Sequence, residues 1–100
     1  MSNKRFELHD ILLTIAGHAY FQPPESMKLN YPCIVYERSS GDSRFADNHP
    51  YIYKTRYKIS VIDADPDSDI VRKVARLPLC THDTHYTKDN FNYDIFNIYY

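Results

Sequence analysis

Tryptophan is absent from the 100-residue chain, and glycine occurs only twice, at Gly17 and Gly41. Two glycines cannot furnish a phosphate-cradling loop or the G-x-S-x-G elbow of a serine hydrolase. Ser39, Ser40 and Ser43 therefore lack the oriented turn and the base that a nucleophile needs. Cysteine is as scarce. Cys33 and Cys80 match no zinc or redox spacing. The opening MSNKRFELHD has no apolar signal-peptide core and reads as a cytosolic start, so the two cysteines read as reduced, small apolar side chains. Basic excess is missing too: twelve Lys and Arg stand against thirteen Asp and Glu, a net charge of -1. A dedicated nucleic-acid binder usually carries a clear basic surplus. No apolar run approaches the roughly 18 residues of a membrane-spanning helix. At this length one domain, 1–100, is expected, with no room for a cleft between two.

What the chain has in excess is tyrosine, ten of them. A tyrosine joins a large apolar body to a polar tip, which suits half-buried and interfacial positions.

Leu8, Ile11, Leu12 and Ile15 recur with helical spacing, which predicts a helix over Phe6–Ala16 ended by Gly17. Pro23 and Pro24 make residues 18–30 a connector, with a short extended piece at Ala19-Tyr20-Phe21. Tyr31–Glu37 reads as a strand, and its run Cys33-Ile34-Val35-Tyr36, apolar on both faces, suits the sheet interior. Residues 38–50 form a polar loop with Phe45 at its middle. Ile52–Ile62 alternates, with Tyr53, Tyr57, Ile59 and Val61 opposite Lys54, Arg56, Lys58 and Ser60. Asp65 as a cap, Pro66 in the first turn and a stripe of Ile70, Val71, Val74 and Leu77 predict a second helix, Pro66–Leu77, closed by Pro78. A short strand over Leu79–His85, a turn at Thr87–Asn90 and a strand over Asn92–Tyr100 follow. Tyr93, Ile95 and Tyr99 fall on one face of the last strand, and Phe96, Ile98 and Tyr100 on the other. The expected fold is α+β: a mostly antiparallel sheet of about four strands, two helices on one face, in the order α-β-β-α-β-β.

Few constellations suggest chemistry. Asp63, Asp65, Asp67 and Asp69 imitate a calcium loop, but Ser68 and Val74 stand where that loop needs Gly and Glu, so the run reads as an acidic helix start. His82 and His85 are three apart on an expected strand, which points them to opposite sides and argues against metal binding. Lys54, Arg56 and Lys58 make a basic strand face. The tyrosines of that strand lie on the other, core-facing side, so the face reads as solvated or paired with acidic neighbours, not as an RNA platform. No cofactor is implied.

The stretch YPCIVYERSSGDSRFADNHPYIYKTRYKISVIDADPDSDI, the helix after it and the closing HYTKDNFNYDIFNIYY resemble small tail terminator or tail completion proteins of long-tailed bacteriophages. The preceding FQPPESMKLNYPCIVY fits as well, so the resemblance spans roughly residues 18–100. It implies a structural, non-enzymatic virion protein, made in the bacterial cytoplasm, that caps the tail tube as a hexameric ring. Implied partners are other copies of the chain, the tail tube protein and a head-side connector or neck protein. DNA would pass through the ring without sequence-specific binding, and no membrane is involved. Another neck component, such as a head-completion or stopper protein, is the nearest alternative. A small metal-dependent enzyme on His82, His85 and the Asp-rich run is a more distant one. The loop is the expected contact surface: Arg38, Asp42, Arg44 and Asp47 can form charged pairs, Asn48 lies beside them, and Phe45 can fill a partner's pocket. On this reading Phe45→Ala and Arg44→Glu leave the subunit folded but stop tail completion, giving overlong tubes or unjoined heads and tails. Normal virion yield and tail length from both folded variants refute the loop assignment.

Overall fold

The computed structural model describes residues 4–39 and 55–100. Seven elements appear: α1 (Lys4–Ala16), β1 (Ala19–Phe21), β2 (Cys33–Arg38), β3 (Arg56–Asp63), α2 (Asp69–Ala75), β4 (Cys80–Lys88) and β5 (Phe91–Tyr99). The five strands form one sheet in the order β1-β2-β3-β5-β4. The fold is α+β, as expected, but the sheet has five strands and is mixed. β1 runs parallel to β2, with Tyr20 opposite Val35, and every other pair is antiparallel. The extended piece at Ala19–Phe21 is thus a full edge strand. Residues 22–32, kept out of helix by Pro23 and Pro24, carry the chain back so that β2 runs in the same direction.

Both helices lie over one face of the sheet. Leu8 and Leu12 of α1 and Val74 of α2 form one buried cluster with Ile34, Tyr36, Tyr57, Ile59, Val61, Phe96 and Ile98. Full burial of each large aliphatic chain contributes roughly 1.5–3 kcal/mol. The alternation expected over Ile52–Ile62 holds within β3, where Tyr57, Ile59 and Val61 are buried and Lys58 on the other face is exposed, while Ile52, Tyr53 and Lys54 lie outside the described residues. Tyr36 is buried completely, and its hydroxyl is satisfied by Nδ1 of His9 at 2.7 Å. At the start of α1 the Arg5 guanidinium lies 4.2 Å from the Phe21 ring centroid, which ties the helix to β1. Gly17 ends α1 at a φ of 81°, where an L side chain is strained.

Most element boundaries shift by a residue or two, and the ends of α2 and the end of β4 differ from the sequence reading for identifiable reasons. The cap of α2 is Ser68, whose Oγ accepts from the Ile70 N–H at 3.1 Å; it is not Asp65. Asp63 and Asp65 instead each accept the N–H two residues on, both at 2.9 Å. Such Asx turns compete with helix, so Pro66 sits in a turn before the helix starts. At the other end the N–H groups of Arg76 and Leu77 reach back three residues, to Lys73 and Val74, and the α-helix stops at Ala75. β4 is longer than expected because its turn needs only Asp89 and Asn90, at φ 53° and 69°. Asp and Asn tolerate that left-handed conformation, and a two-residue turn of this hand matches the twist of the strands it joins.

Val74→Asp would bury an unpaired carboxylate and is expected to cost about 3 kcal/mol or more. Arg72→Ala, on the exposed side of the same helix, should cost about 0.5 kcal/mol or less. Ser68→Ala should cost about 1 kcal/mol and Asp65→Ala less than that. Urea unfolding of the four variants measures this; a larger loss for Asp65→Ala than for Ser68→Ala would return the cap to Asp65.

Candidate functional site

No described helix packs on the second face of the sheet, yet three of its side chains are buried there. Cys33, Ile62 and Ile95 are 0%, 5% and 4% exposed, and none belongs to the helix-side cluster. Aromatic rings gather at one end of the same face. Tyr31 lies against Phe91, with ring centroids 4.5 Å apart. Tyr86 lies against Tyr93 at 4.9 Å with the ring planes only 5° from parallel. Burial, followed by the nearby Tyr31, Tyr86, Asp89 and Cys33, raises the Tyr93 hydroxyl above its ordinary value. These groups therefore form one patch. Tyr31 and Tyr86 are 44% and 46% exposed at its rim.

The geometry of the Tyr86–Tyr93 pair restricts what the patch can hold. The two residues are directly opposite on neighbouring strands. Their ring separation equals the 4.7–4.9 Å spacing between strands. The rings therefore stand upright on the sheet, like plates in a rack, with their edges away from the sheet and the outer face of Tyr86 toward the edge of β4. A platform for stacked bases needs ring faces turned outward. Upright tyrosines suit a protein surface, where an apolar body is covered and the hydroxyl meets a polar rim. The opposite end of the face is polar and mixed in charge, with Glu37, Arg56, Lys58 and Asn97. There the Arg56 Nη2 donates to Asn97 Oδ1 at 3.5 Å, while its Nε is buried with no hydrogen-bond partner.

Of the expected contact residues, only Arg38 is described. It ends β2, exposed, and its N–H donates to Gln22 Oε1 at 3.2 Å. Asp42, Arg44, Phe45, Asp47 and Asn48 lie outside the described residues. His82 and His85 do not diverge. A bulge between His82 and Thr84 admits one extra residue, Asp83, and returns both imidazoles to the helix side of the sheet. His82 Nε2 lies 3.1 Å from Asp94 Oδ1, and His85 Nε2 lies 3.3 Å from Asn92 Oδ1. Among the described residues no three His, Cys, Asp or Glu side chains converge as metal ligands. A shallow apolar pocket of about 130 Å³ opens between α1 and the end of β5. It is smaller than the ~300 Å³ at which small-molecule sites begin, and no acid, histidine or cysteine lines it. Among the described residues no helix is long and apolar enough to cross a membrane.

No family model matches the chain, and no curated protein or solved structure does so.

Of the aromatic patch, the sequence places Tyr31 and Tyr93 in strands without a role and leaves Tyr86 and Phe91 outside any element. One signal was present: Tyr93, Ile95 and Tyr99 were placed together, opposite Phe96 and Ile98. What was missing was that no described helix lies over the face they share, which only the topology supplies.

Both cysteines are unpaired, and burial pushes each thiol up to about 11. Neither is a thiolate near neutral pH, so neither is poised as a nucleophile. The fold holds Cys33 protonated, so its stabilisation is complete below the ordinary value of 9.0 and is lost as pH rises toward 11. Cys33→Ala should remove about 2 kcal/mol of the stability lost over that interval, a discounted two-unit shift. Urea midpoints at pH 8 and pH 11 for both forms test this. Identical losses would mean that the thiol does not titrate with unfolding.

Proposed function

We propose that the chain is a structural assembly subunit, and that its working surface is the helix-free sheet face carrying Tyr31, Tyr86, Phe91 and Tyr93. The observation that supports this is the pair of large side chains left nearly half exposed over a buried floor of Cys33, Ile62 and Ile95. Scattered exposed apolar residues are ordinary in a monomer, whereas a contiguous aromatic patch with a polar rim marks a protein contact. The tyrosines lose little conformational freedom on contact, since each has only two rotatable side-chain bonds.

Joined to the resemblance over residues 18–100, this surface makes a tail-completion role the best specific reading. The subunit would close into a ring at the end of a phage tail tube, stop its growth and present a joint to the head-side neck. A closed ring needs two different complementary patches on each subunit, repeated head to tail. The aromatic face supplies one, and the Arg38–Pro50 loop is the expected source of the other.

Tyr31→Ser and Tyr86→Ser both alter rim residues, so the subunits should stay folded. In a phage lacking the natural copy, each variant is expected to lower the yield of joined virions at least tenfold, with overlong tubes or unattached heads in electron micrographs. Wild-type yield from both folded variants would remove the aromatic face from the assembly. Absence of the protein from purified virions would remove the phage reading altogether.

A further inference from the structure

We propose that the outer edge of β4 pairs antiparallel with β4 of a second copy of this chain, with Tyr86 facing its own counterpart across a two-fold axis. This contact is distinct from the head-to-tail contacts of a ring and does not rest on the phage reading.

The sheet has two edges of different character. β1 offers three residues, whereas β4 offers nine and, among the described residues, bonds only to β5. The two-residue turn at Asp89 and Asn90 makes Lys88 and Phe91 a hydrogen-bonded pair. Alternation along the antiparallel ladder then directs the backbone groups of Thr84, Tyr86 and Lys88 toward β5 and those of His85 and Thr87 outward. Natural edges are usually blunted by bulges, charges or proline. Here the bulge and Asp83 blunt the first half of β4. The second half, Thr84–Lys88, contains no proline, glycine or carboxylate, and only Lys88 is charged.

The rings choose the register. One face of Tyr86 is stacked on Tyr93, and the other points across the free edge. A two-fold axis perpendicular to the sheet keeps each side chain on its own side, so the pairing can shift only in steps of two residues. With Tyr86 opposite Tyr86, the upright rings continue as a ladder of four across the joined sheets. His85 then faces Thr87 on both sides of the axis, and about four backbone hydrogen bonds form. Thr84 faces Lys88, so no like charges oppose each other. A shift one way sets His85 against His85. A shift the other way sets Tyr86 against Lys88 and moves His85 opposite Asp89, which is already in the turn. Only the central register uses the free face of Tyr86.

In that register Tyr86 forms a non-hydrogen-bonded pair, where opposing side chains are closest. Tyr86→Cys in the full chain, with Cys80→Ser to leave only the buried Cys33, should form a disulfide-linked dimer in high yield under mild oxidation. Lys88→Cys in the same background places the two sulfurs about 13 Å apart along the strand and should crosslink at least tenfold less. Sedimentation of the wild type at millimolar concentration should show a dimer. Thr87→Pro removes an outward N–H without touching the β4–β5 ladder, and should give a monomer with an unchanged far-ultraviolet spectrum. A monomeric wild type, equal crosslinking at 86 and 88, or a dimer that survives Thr87→Pro overturns the proposal.

Discussion

Among the described residues both helices lie over one face of the five-stranded sheet, and the other face carries a cluster of its own aromatic side chains. That asymmetry organises the molecule. On the covered face Leu8, Leu12 and Val74 meet Ile59, Val61 and Ile98, with Tyr36, Tyr57 and Phe96 in the same cluster. On the uncovered face a side chain must be broad enough to roof its neighbours and polar enough to meet water. Tyrosine satisfies both requirements, which gives Tyr31, Tyr86 and Tyr93 a physical basis on that face.

The same residue type does different work on the two faces. Tyr36 is fully buried, and its hydroxyl requires an internal partner, which α1 supplies through His9. Burial also raises this hydroxyl above its ordinary value, so it stays protonated. Tyr86 faces water, and its ring takes its position from stacking on Tyr93. A helix contact therefore fixes one tyrosine, and a strand register fixes the other. Slipping β4 by one residue against β5 would send Tyr86 to the helix side and uncover Tyr93.

Much of the fold was legible in the chain. Helical spacing at Leu8, Leu12 and Ile15, and at Ile70, Val74 and Leu77, located both helices and their buried faces. Alternation in Ile52–Ile62 located the central strand, described from Arg56 on, and its wet side. The errors occurred where short-range hydrogen bonds decide the outcome. Asp65 and Pro66 look like a helix start, but consecutive Asx turns use the carboxylates first and defer the cap to Ser68. A period of two predicts that His82 and His85 diverge, and a single bulge reverses that. The parallel pairing of β1 depends on the path of residues 22–32, which carry no periodic signal. The aromatic patch was the least legible feature, because it assembles from Tyr31, Tyr86, Phe91 and Tyr93, spread over 63 positions and three segments.

The bulge in β4 sets a limit on how much sheet can be added at that edge. A regular nine-residue edge would accept any extended chain in several registers, which is how fibrils begin. Interrupting the strand at His82 and Thr84 leaves a footing of five residues. With β1 reduced to three residues on the far side, the sheet has one usable terminus. A building block with a single terminus can join another but cannot propagate, so its β-rich, aromatic composition carries little risk of open-ended polymerisation through strand edges.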